Sequence, residues 1–208
     1  MWLIRVMFAA AITLTGAIDA MAIEEAAYRV TMQDGAFEIR DYAPHVVAET
    51  LVEGTLEEAG NKAFNRLFRY ISGGNLSRSK VAMTAPVSQQ SPGEKIAMTA
   101  PVSQQRVQER WSVSFTMPSS YTLETLPAPE DPQVTLRQVP ARRMAAVRYS
   151  GSWSEKGYLT HAAALESWMR AKGLAGAGAP QWARYNSPFS LWFIRRNEIL
   201  IPVAAVAD

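Results

Sequence analysis

The 208-residue chain contains no cysteine, which excludes a disulfide framework, a thiolate metal site, a cysteine nucleophile and haem attached through C-x-x-C-H. It has two histidines, His45 and His161, so any imidazole chemistry must come from one of them. Charge of one sign is lacking as well: 21 Lys and Arg stand against 19 Asp and Glu, and the formal net charge is +2. Acids and bases are mixed along the chain with no basic stripe, which argues against nucleic acid as a partner. Long apolar runs are absent beyond the first residues, where Arg5 precedes the apolar stretch 6–18 and the small-x-small triplet Ala20, Met21, Ala22. That order predicts a secretory signal cleaved before Ile23, and hence an exported, periplasmic protein. The stretch is short for a bilayer span, which takes about 20 residues, so no stable membrane span is expected once the signal is removed. Arg5 and Asp19 cancel, leaving the mature charge at +2.

What is present is apolar residue, 48% of the chain, enough to build the core of one domain over 23–208. FEIRDYAPHVVAETLVEG (37–54) alternates polar and apolar residues on either side of Pro44, predicting two short strands and a turn. Thr55 opens TLEE, a capping box with Glu58, and the helix it starts runs to about Ser72 before Gly73 and Gly74 stop it. The second half repeats this order. VTLRQVPARRMAAVRYSG (134–151) reads strand, proline break, strand, and Ser154 caps a second helix through Tyr158, Ala162, Leu165 and Met169, ended by Gly173. Two more strands follow each helix: the MTAPV region and WSVSFTMP in the first half, QWARYNSP and the stretch around LWFIRRNEILIPV in the second. The expected fold is α+β: two pseudo-symmetric ββαββ halves forming a twisted antiparallel sheet or distorted barrel flanked by two helices. The proline-rich LETLPAPEDPQ (123–133) is a crossover within that single domain.

An eleven-residue phrase occurs twice, KVAMTAPVSQQ from Lys80 to Gln90 and KIAMTAPVSQQ from Lys95 to Gln105. Ser91, Pro92, Gly93 and Glu94 between them suit a tight turn, so the copies are expected to fold back on each other as antiparallel strands. Neither copy pairs a nucleophile with a base, and the phrase reads as structural.

K[VI]AMTAPV, together with FEIRDYAP, WSVSFTMP, YNSPFSLWF and RRNEILIPV, resembles the SOUL haem-binding protein family, and the doubled MTAPV phrase resembles its bacterial branch. The likeness runs from about Tyr28 to Val203. It implies an eight-stranded sheet with two helices, and non-covalent binding of haem or a related tetrapyrrole on an apolar surface beside the first helix, for transport, buffering or sensing.

On a helical wheel, Leu56, Ala59, Ala63, Leu67, Tyr70 and Ile71 form one stripe, and Phe64 and Phe68 widen it beyond what packing on a sheet requires. Asn61, Asn65 and Arg69 follow around the wheel, with Lys62 and Arg66 on the far side. A flat apolar macrocycle with two carboxylates needs an aromatic ledge and a cation at its rim. With the resemblance placing ligand contacts on this segment, Asn61, Phe64, Leu67, Phe68 and Arg69 are the candidate contacts, and Phe189 and Trp192 of YNSPFSLWF the expected second wall. Some family members carry a histidine directly after EIR, where this chain has Asp41, so His45 is left as the weak candidate iron ligand. GyrI-like domains, which this fold also resembles, bind diverse apolar cations and sometimes hydrolyse small molecules. On that reading Glu38, Glu49, Glu53 and Glu198 are the candidate acids and bases. A third reading makes the exposed aromatics contacts for an envelope partner, with no small ligand.

Overall fold

The computed structural model describes residues 23–77, 93–187 and 189–204. The predicted leader, the first copy of the repeated phrase, and Ser91 and Pro92 of the predicted turn lie outside the described residues.

The first half contributes β2 (Phe37–Tyr42), β3 (His45–Val52), α1 (Leu56–Ile71), β5 (Val102–Val107) and β6 (Arg110–Thr116). The second contributes β8 (Thr135–Val139), β9 (Arg142–Tyr149), α2 (Glu155–Ala171), β10 (Gln181–Arg184) and β11 (Asn197–Pro202). β1 (Tyr28–Asp34) precedes them, and the two-residue strands β4 (Asn75–Leu76) and β7 (Ala128–Pro129) pair with each other. The local signals act as their chemistry dictates. Pro44 and Pro140 separate the first two strands of each half. Thr55 Oγ1 accepts the Glu58 amide while Glu58 returns a carboxylate oxygen to the Thr55 amide. Gly73, at φ 113°, closes α1 in a conformation that only glycine adopts freely.

The nine-stranded sheet runs β1-β2-β9-β11-β10-β5-β6-β3-β8, all antiparallel. From β2 to β8 that order is unchanged when the halves are exchanged and the direction reversed. A pseudo-twofold therefore passes between β5 and β10, through the paired residues Gln104 and Trp182. Each half lends its first strand to the other: β2 lies on β9 and β8 lies on β3.

Both helices pack on one face. α1 sits on β3 and β6, and α2 on β9 and β11. Ala59, Ala63, Leu67 and Tyr70 share one core with Leu165, Met169, Val113, Phe115 and Ile199. The central pair, β5 and β10, is left as the floor between the helices. None of the helices among the described residues is long and apolar enough to cross a membrane.

Three elements differ from the sequence expectation. β1, to which the sequence reading assigns no element, is an edge strand: Tyr28, Val30 and Met32 alternate with Arg29, Thr31 and Gln33 at the period of a strand, but nearly every residue is exposed. The second copy of the repeat cannot pair with the first along Val102–Gln105, because β6 and β10 occupy both edges there, and residues 95–99 are irregular. The last predicted strand starts only at Asn197, with a 3-10 turn at Trp192–Ile194 before it.

Candidate binding site between the first helix and the central strands

Where the helices part, a cavity of about 350 Å³ opens over the Val102 and Arg184 end of the floor. That volume lies within the range of small-molecule sites. One wall is α1, through Gly60, Asn61, Phe64 and Phe68; Met98 and Thr99 close another side, Trp153 closes a third, and Phe189 stands at the mouth. Phe64 and Phe68 stack with centroids 5.8 Å apart, and Phe64 also meets Phe115 of the core at 5.4 Å. The spacing of four along a helix places both rings on one face.

At the floor lies Arg184. Its guanidinium sits between the indoles of Trp153 and Trp182, 5.1 Å from each ring centre. Nη2 donates to Gln104 Oε1 at 3.3 Å, while Nε is buried with no acceptor. Arg184 makes no ion pair among the described residues. Burial lowers its pKa to about 10, with the Tyr149 phenol opposing. A desolvated cation without a counterion is costly, and an anion delivered to it relieves that cost. Gly60 lets the helix approach: a Cβ there would lie 3.2 Å from both Arg184 Nη2 and Gln104 Oε1.

Of the residues expected from the sequence, Asn61, Phe64, Phe68 and Phe189 surround this one cavity. Three do not. Leu67 is fully buried against the sheet, because the α1 stripe it belongs to packs on β3 and β6. Arg69 faces a groove on the other side of α1, with Lys62 and Arg66. Trp192 projects from the 3-10 turn, 59% exposed and edge-on to Phe193, away from the cavity lining.

Neither histidine lines the cavity. His45 is on β3 and borders a depression on the opposite face of the sheet, its Nδ1 bonded to the Ala43 carbonyl at 2.9 Å, and burial lowers its pKa. His161 stacks on Tyr149 with centroids 3.7 Å apart. Among the described lining residues, the soft donor is the Met98 thioether. No cluster of three or more metal-binding side chains occurs among the described residues.

The candidate acids and bases are also elsewhere. Glu198 is buried in an ion cluster with Arg40 and Arg196 on the opposite face, which holds its carboxyl below the usual range despite the burial. Glu38 pairs with Arg40, Glu49 with Arg137, and Glu53 borders the Arg69 groove. Sequence reasoning missed Arg184: Trp182, two residues back on the same strand, is legible as a same-face neighbour, but Trp153 and the missing counterion are not visible without the fold.

Residues 23–202 match the family described as "SOUL heme-binding protein". Heme-binding protein 1 of Xenopus tropicalis is 27% identical over 175 residues, covering 79% of this chain and 87% of the relative. Among solved structures, a hydrolase from Listeria innocua superposes with a TM-score of 0.54 at 14% identity, covering 84% of this chain and 94% of its own. An uncharacterized conserved protein from the same organism superposes at 0.56 and 13%, covering 81% and 92%. At these identities the structural likenesses speak for the α+β fold alone.

Proposed function

The chain belongs to the SOUL heme-binding protein family, and from that premise we propose that it binds haem or a related tetrapyrrole non-covalently in the cavity beside α1. The single observation that carries this reading is the pairing of an apolar, aromatic-walled cavity with an uncompensated guanidinium at its floor. Phe64 and Phe68 offer ring surface to a planar macrocycle, Arg184 offers charge to a propionate, and Asn61 offers an amide at the rim. The lining therefore fits the organic part of the group. It supplies no imidazole to the iron, because both histidines are held elsewhere.

Affinity on this reading comes from apolar area, at about 25 cal/mol per Å² removed from water, and from the carboxylate–guanidinium contact. When bound, haem would supply iron redox and ligand-exchange chemistry; the chain holds the macrocycle and limits water around it.

Haemin titration followed by the Soret band tests the reading. Saturable one-to-one binding is expected, and iron-free protoporphyrin is expected to bind within about tenfold of haemin, since each 1.4 kcal/mol is tenfold and iron ligation adds little here. Phe68→Ala is expected to weaken both about fivefold, roughly 1 kcal/mol of lost ring contact, with little change in stability because Phe68 is 47% exposed. Protoporphyrin binding a hundredfold more weakly than haemin would show that a strong iron ligand acts in the site. Absence of a saturable Soret change would remove the reading altogether.

A further inference from the structure

The pseudo-twofold allows the outer face of the sheet, away from the helices, to be compared half against half. In the first half Val47–Val52 pairs in register with Thr116–Trp111, and in the second Met144–Tyr149 pairs with Pro202–Asn197. Position by position, Glu49 therefore corresponds to Ala146, Ser112 to Glu198, Ser114 to Leu200 and Thr116 to Pro202. The second half is apolar at most of these positions and is covered: Met144, Ala146 and Leu200 pack with Tyr185, Ala26 and Tyr28. The first half carries hydroxyls instead, and beneath them the sheet leaves a cavity of about 40 Å³. One water needs about 10–15 Å³ on this measure, so there is room for a few water-sized atoms.

The charges around that cavity do not balance. Glu49 is already committed, accepting from Arg137 at 2.9 Å and from Ser112 at 2.9 Å. Arg142 has no carboxylate: it makes no ion pair among the described residues, its Nη2 donates to Gln181 Oε1 at 3.2 Å, and its Nε is buried without an acceptor. Burial, and then Arg137, lower the Arg142 pKa, the direction expected of an uncompensated cation. The hydroxyls of Ser103, Ser114 and Thr116 border the same space as donors that rotate to suit an acceptor. A surplus guanidinium among hydroxyls in a small polar hollow matches an oxyanion with several acceptor oxygens.

We propose that this cavity, on the face of the sheet opposite the tetrapyrrole site, binds a small oxyanion of the size of inorganic phosphate on Arg142. The site is independent of the haem reading: its residues come from β3, β5, β6, β8, the start of β9 and Gln181 of β10, and none lines the cavity beside α1.

The test is calorimetric titration of the purified protein with inorganic phosphate at fixed ionic strength, with chloride as the control and thermal unfolding in parallel. Saturable heat and a rise in Tm beyond the chloride control are expected. Arg142→Gln is expected to weaken phosphate at least tenfold. Ser114→Leu, which places in the first half the residue found at the matching position of the second, is expected to abolish it by filling the hollow. Both variants should keep the wild-type haemin titration, which also reports that they are folded. Should Arg142→Gln fail to fold, Ser114→Leu decides the matter alone. No phosphate heat in the wild type, or unchanged phosphate affinity in a folded variant, would overturn the proposal.

Discussion

Replacing Glu198 by glutamine is expected to cost about 3–5 kcal/mol of stability, the range for breaking a buried ion pair on one side, and to lower Tm on the order of 10 °C. The side chain is fully buried. Its carboxylate accepts from Arg40 Nη1 at 2.6 Å and Nη2 at 3.1 Å, from Arg196 Nε at 2.9 Å and from the Tyr185 hydroxyl at 3.0 Å. Around this hub, Arg40 reaches Glu38 and lies over the Tyr28 ring, and Arg196 holds Glu25 at 2.8 Å. The N-terminal segment, β2 and β11 are thus joined through one carboxylate. Glutamine keeps the shape but leaves two guanidinium groups short of a charge, and its amide group meets donors where an acceptor is needed.

The same hub gives a pH signature. The folded-state pKa of Glu198 is depressed below its ordinary 4.5, because the pairing with Arg40 and Arg196 outweighs the upward push of burial. A depressed carboxylate stabilises the fold fully above its unfolded pKa, and that contribution is lost as pH falls through the folded value. The wild type is therefore expected to lose stability on acidification more steeply than Glu198→Gln, the two converging in acid. Urea unfolding of both proteins from pH 7 downward checks this; parallel curves across the range would show that Glu198 is not the group that titrates.

Arg184→Met is expected to lower haemin affinity without lowering stability. A charge-assisted hydrogen bond contributes about 1.5–3 kcal/mol, so loss of the propionate partner should weaken haemin tenfold or more. Removing a desolvated cation that lacks a counterion, and filling its place with a flexible apolar chain, should leave the unfolding free energy unchanged or raised. Soret titration and urea denaturation of the same preparation measure both. A merely structural role for Arg184 would lower stability and leave the affinity of the folded fraction intact. Wild-type haemin affinity in a stable Arg184→Met would shift the anion contact to the Lys62, Arg66 and Arg69 groove.

Much of this architecture was legible in the residues. The capping box at Thr55, the proline breaks at Pro44 and Pro140, and the glycine stops are short-range devices, and each acts within a few residues of itself. The wheel position of Phe64 and Phe68 was equally readable, since helical spacing fixes which rings share a face. What failed depended on partners distant in the chain. The two copies of the repeat invite a hairpin, yet the β5 portion of the second is claimed by β6 and by β10, the latter arriving some eighty residues later. The wheel sets Leu67 in the core stripe and Phe68 at its edge, but how far the cover of β3 and β6 extends, sealing Leu67 and leaving Phe68 half open, is decided by the packing of α1. His45 alternates along β3, and its pairing with Val139 puts it on the outer face, where no reading of its neighbours alone would have set it. Arg184 shares a strand face with Trp182 by spacing alone, but only the fold brings Trp153 to it and leaves it without a counterion.

The location of the tetrapyrrole is the claim on which the functional account rests, and one measurement addresses it directly. In ¹⁵N-labelled protein titrated with haemin, the paramagnetic iron broadens nearby amide and indole resonances. The account predicts that the amides of Gly60, Phe64 and Val102 and the indole of Trp153 fade first and together, while those of His45 and Ser114, across the sheet, persist. Broadening centred on the outer face, or along the groove of Arg69 with the Trp153 indole untouched, would contradict it.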